Sequence, residues 1–144
     1  MSLAEQDKFT RECSNAKAWF ESIEEMLAEL KRCEKETLSS RNADDARQRI
    51  EESVLSVEVR SGWVVPSAFN ETDDKHGFPT LKPAEYNILL TTGGPALRIF
   101  GQLNHYGEPE TAELQMQDWG TYWERYPALE ATLLDFARCF YFGE

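Results

Sequence analysis

The sequence predicts an α+β domain: an N-terminal helical hairpin, an antiparallel meander of three to four strands, and a C-terminal helix packed on the sheet. Three observations carry that expectation. A heptad run of apolar residues marks a long first helix. Three period-two segments follow one another after residue 85, and apolar residues at helical spacing return near the C-terminus. A chain of 144 residues can bury a core as one domain without staples. Residues 1–144 therefore read as a single unit, with a helical section over 1–56 and the meander plus closing helix over 57–144.

Phe9, Cys13, Ala16, Phe20, Ile23, Leu27 and Leu30 alternate steps of four and three, a seam that places one apolar stripe along a helix. Trp19, Met26 and Cys33 widen it on one side. Glu21, Glu25 and Glu29 form a like-charged ridge at i,i+4 spacing, which weakens an isolated helix, so this helix needs a packing partner. That partner is either the rest of the chain or a second copy, in a homodimer formed through the helix over 9–30. Thr37 to Arg41 reads as a connection, and Asn42 with Asp45 resembles an N-cap followed by an acid in the first turn. Ala46, Ile50 and Val54 then give a shorter second helix, which completes an αα-hairpin.

Val57, Val59 and Trp63 suit a strand leaving that helix. The run from Pro66 to Glu85 is punctuated by Asn70, Gly77, Pro79 and Pro83 and lacks periodicity, which marks a long loop. Alternation then fixes three strands: Tyr86–Thr92, Leu97–Asn104 and Thr111–Asp118. Their joints, Thr92-Gly93-Gly94-Pro95 and Asn104–Glu110, are rich in turn residues. Pro127 is placed to open a last helix, whose face Leu129, Leu133, Phe136, Ala137 and Phe140 would cover the sheet.

Composition narrows the function classes. The net charge is −11, and the basic side chains concentrate in residues 1–60 while most aromatics follow residue 60. Phosphate affinity depends on clustered Lys and Arg, so direct nucleic-acid binding is not expected. No apolar run is long enough to span a bilayer and no charged-then-apolar leader is present, so neither a membrane nor secretion is expected. The expectation is an acidic, cytoplasmic globular domain. Its three cysteines do not form a disulfide framework: Cys13 and Cys33 lie about 30 Å apart along one helix. All three read as small packed side chains rather than nucleophiles.

The block EYNILLTTGGPALRIFGQLN followed by GEPETAELQMQDWGTYW resembles small uncharacterised acidic proteins of bacteria and of their phages or plasmids. The resemblance implies a mobile-element origin and a bacterial cytoplasm. It implies no activity and no catalytic residue.

Candidate chemistry is sparse. Gly93-Gly94-Pro95 precedes a strand rather than a helix and lacks a following Lys, so it reads as a hairpin turn, not a phosphate cradle. Asp73, Asp74 and His76 are ligand-type residues without a metal-binding spacing, so no metal and no cofactor is expected. His76 or His105, with loop carboxylates, could serve a small enzyme, yet neither has a motif partner. Glu108, Glu110, Glu113 and Asp118 read as surface acids.

The richest stretch is Asp118-Trp119-Gly120-Thr121-Tyr122-Trp123-Glu124-Arg125-Tyr126-Pro127. Its rings either form a lid over one end of the core or an exposed patch that anchors a protein partner, since Trp, Tyr and Arg supply hot-spot area. Arg98 and Phe100 on the sheet's second face would extend such a patch. The favoured function is a non-enzymatic protein-binding role, in which an acidic surface carrying Asp118, Trp119, Tyr122, Trp123 and Tyr126 engages a basic, nucleic-acid-handling protein.

Overall fold

The computed structural model describes residues 3–35, 40–63, 65–69, 82–92, 96–117 and 122–142. The order of elements is α1 (Leu3–Lys35), α2 (Ser40–Glu52), β1 (Ser56–Ser61), α3 (Pro66–Phe69), β2 (Pro83–Thr91), β3 (Ala96–Gln102), β4 (Glu113–Gln117), β5 (Glu124–Tyr126) and α4 (Glu130–Ala137).

The heptad seam does form one long helix. Within α1 the side chains of Ala16, Ile23, Leu27, Leu30 and Cys33 are buried by the chain's own core, while Phe20 and Cys13 are half-buried; that of Phe9 lies outside the described side chains. α1 packs on α2, on α4 and on β4. The α1/α2 hairpin closes over Ala43, Ala46 and Ile50, the last with no exposed surface. Across the hairpin, Glu29 of the like-charged ridge accepts from Arg49 Nη1 through Oε2 at 2.5 Å, and Glu34, beyond the ridge, accepts from Arg47 Nη2 through Oε1 at 2.9 Å. α2 begins at Ser40, two residues before the expected cap at Asn42.

The sheet has five strands in the order β1-β2-β3-β4-β5, every neighbouring pair antiparallel. This is one strand more than the upper expectation. The addition is β5, which pairs Tyr126 with Leu114 and Glu124 with Met116. Pro127 therefore follows a strand rather than opening a helix. The chain has to cross from sheet to helix layer before α4 begins at Glu130. Leu129 becomes its N-cap and is 65% exposed, so it does not cover the sheet as expected. Phe140 lies beyond the helix end and is half-buried against the core.

Period-two alternation gives the sheet an apolar inner face. Tyr86, Ile88 and Leu90 of β2, Leu97 and Ile99 of β3, and Leu114 and Met116 of β4 are all buried there, beneath Leu133, Phe136 and Ala137 of α4. Gly101 faces Tyr86 across the β2–β3 ladder. A Cβ at Gly101 would lie 1.9 Å from the Thr111 carbonyl oxygen and 2.8 Å from the Tyr86 hydroxyl, so only glycine fits. In the space it leaves, Tyr86 Oη donates to Thr111 O at 2.6 Å. Among the described residues no helix is long and apolar enough to cross a membrane.

Candidate functional site

The outer face of the sheet is assembled by the same alternation that buries the inner one. From β1 it takes Ser56, Glu58 and Arg60; from β2, Glu85, Asn87 and Leu89; from β3, Arg98, Phe100 and Gln102. β4 adds Glu113, Gln115 and Gln117, and β5 adds Arg125 opposite Gln115, with Trp123 just before the strand. None of these side chains is buried.

At its centre runs a stack of alternating cations and rings. The Arg98 guanidinium lies 4.1 Å from the Trp123 ring centroid and 4.8 Å from that of Phe100. The Arg60 guanidinium also lies over Phe100, at 5.5 Å from its centroid. Both distances at Arg98 fall well inside the reach at which a ring quadrupole attracts a cation. Because the stack joins β1 to the start of β5, it spans the width of the sheet, roughly 19 Å at ordinary strand spacing.

Polar contacts hold the stack in place. Arg98 Nε donates to Gln115 Oε1 at 2.8 Å, and Gln115 Nε2 donates to Glu113 Oε2 at 3.1 Å. Arg60 donates through Nε and Nη2 to Glu85 Oε2 at 3.1 and 2.6 Å. Partial burial, and then the repulsion of Arg60, push the Arg98 guanidinium below its ordinary pKa. Its charge is thus only partly solvated, with two rings and the Gln115 amide beside it. Asn87, opposite Phe100, keeps a buried Oδ1 that accepts no hydrogen bond.

The structure divides the aromatic run that the sequence singled out. Trp123 joins Arg98 and Phe100 on the outer face. Tyr122 is 92% exposed. Tyr126 turns the other way, pairs with Leu114 and packs half-buried against the core. Asp118 and Trp119 lie outside the described residues. Three of the seven expected partner-binding residues are therefore brought together. Sequence reasoning missed Arg60, Glu85 and Asn87 as members of this face. Their signal is the β1–β2 register, which pairs Arg60 with Glu85.

The other candidates are not gathered at this face. His105 is exposed, with its ring 5.2 Å edge-on to that of Tyr106, and His76 lies outside the described residues. Cys139 is half-buried; its Sγ donates to Asp135 O at 3.4 Å, and burial pushes its thiol pKa up, opposite to what an activated nucleophile needs. Among the described residues no group of three or more His, Cys, Asp or Glu could hold a metal ion. Cys13, Cys33 and Cys139 are not joined in disulfides.

No protein-family model matches the chain, and no curated protein or solved structure matches it either.

Proposed function

We propose that this chain is a non-enzymatic protein-binding module that docks a basic partner surface on the outer face of its sheet. The observation that carries the reading is the stack Arg60–Phe100–Arg98–Trp123, laid across a face with no buried side chain. Arg and Trp are the residue types that concentrate binding energy at interfaces. Here both are held in fixed positions, which lowers the ordering cost of association. The net charge of −11 steers a basic partner toward the molecule, and Glu58 and Glu113 stand on the same face to meet it. A bacterial nucleic-acid-handling protein, met in the cytoplasm by a product of a mobile element, is the class of partner whose surface is built for negative charge.

The test is capture from a nuclease-treated bacterial lysate by immobilised wild type and Trp123→Ala, at low and high salt. The expected result is one basic protein retained by wild type at low salt, released at high salt, and bound about 30-fold more weakly by the variant. Equal retention by both chains, with the variant melting as wild type does, contradicts the assignment of this face.

A further inference from the structure

We propose that two copies of this chain pair through β1, edge to edge and antiparallel, about a two-fold axis at Val59. β1 is an outermost strand of the sheet, hydrogen-bonded to β2 along one side, and the opposite edge strand, β5, has only three residues. An edge strand presents a row of N–H and C=O groups that templates pairing with another chain. The last four residues of β1, Glu58 to Ser61, are exposed. Val59 is 43% exposed although it points to the apolar side of the sheet, and exposed Leu55 (60%) precedes the strand while Trp63 (105%) and Val65 (64%) follow it. Half of the exposed large apolar side chains among the described residues thus lie in this one segment.

The sequence of the segment favours the register centred on Val59, the one that sets its two opposite charges against each other. Opposed residues of an antiparallel pair share a face of the sheet, so a two-fold axis must set some residue against its own copy. Centring on Glu58 brings two carboxylates together, and centring on Arg60 brings two guanidinium groups together. Like charges directly opposite one another destabilise a ladder. Centring on Val59 sets Glu58 of each copy against Arg60 of the other, and Val59 against itself. It also sets Trp63 against Leu55 at both ends, which covers the most exposed apolar groups of the edge. The contact of Arg60 with Glu85 at 2.6 Å keeps its guanidinium on the outer face, where Glu58 also stands. The product is a continuous ten-stranded sheet, twice the five strands of one copy.

An interface of this size belongs to the smaller, transient class, below about 1,200 Å², so the dimer is sought at concentrations up to ~100 µM. Sedimentation equilibrium of the wild type is expected to show the doubled mass. Glu58→Arg and Arg60→Glu, each alone, are expected to weaken the dimer at least tenfold by placing two like pairs across the axis. Mixing the two variants restores it, because every cross-axis pair is then opposite in sign. Should Arg60→Glu fail to fold for want of its contact with Glu85, Val59→Lys, which sets two ammonium groups on the axis, supplies the same test and is expected to give a monomer. A wild type that stays monomeric over this range overturns the proposal. So does a dimer that none of these variants weakens, which would place the contact elsewhere, such as on the surface of α1.

Discussion

Tyr86 sits in space that Gly101 leaves open, and its chemistry follows from that burial. The ring is 1% exposed, lies 5.0 Å from Phe142, and donates its hydroxyl to the Thr111 carbonyl at 2.6 Å. Burial, and then the nearby Glu130 carboxylate, push its pKa well above the ordinary value of 10, with Arg138 pulling weakly the other way. The folded chain therefore keeps this proton at pH values where the unfolded chain releases it. The stabilisation is fully present below pH 10 and is lost as pH rises above it, by up to about 1.4 kcal/mol per pH unit from this one group. Tyr86→Phe is expected to cost about 1 kcal/mol at neutral pH, because it leaves the Thr111 carbonyl short of a partner. The variant should also lose the extra alkaline slope. Urea unfolding at about pH 8 and about pH 11 checks both effects, and parallel slopes for the two chains would contradict the burial argument.

Among the elements, the helical hairpin separates apolar from ionic stabilisation. Ile50 has no exposed surface, whereas the Arg49–Glu29 pair beside it is 61% and 33% exposed at its two side chains. Truncating Ile50 to Ala leaves a cavity and is expected to cost about 3 kcal/mol. Arg49→Ala removes a solvated pair and is expected to cost less than about 1 kcal/mol, despite the short 2.5 Å contact. Denaturant titration of both variants decides the point, and equal losses would mean that the ion pair fixes the hairpin. The hairpin and strands β2 to β4 were legible in the sequence because their periodicity runs over many residues. Strand β5 was not. Glu124–Tyr126 is too short to show a period and becomes a strand only by pairing with Leu114–Met116. The start of α4 was misplaced for the same reason, since Pro127 carries a helix-opening signal that the preceding strand overrides. Half of the site was visible as Arg98, Phe100 and Trp123. The rest depends on the register that lays Arg60 against Glu85, and register is a property of two strands at once.

For the whole molecule, the five-stranded sheet separates two roles. Its inner face joins α1 and α4 in one core, and its outer face gathers cations, rings and carboxylates contributed by all five strands or their ends. In the proposed reading, the net charge of −11 supplies long-range attraction, and the partly buried Arg98 beside the Trp123 and Phe100 rings supplies short-range fit. Site-specific photocrosslinking in bacterial cells tests this most directly. A photoreactive side chain at Gln102, exposed at the end of β3 on the outer face, is compared with one at Leu129, exposed at the N-cap of α4. The outer-face account predicts a crosslink to one basic protein from position 102 and none from position 129. The same protein crosslinked from position 129, with none from position 102, would contradict it.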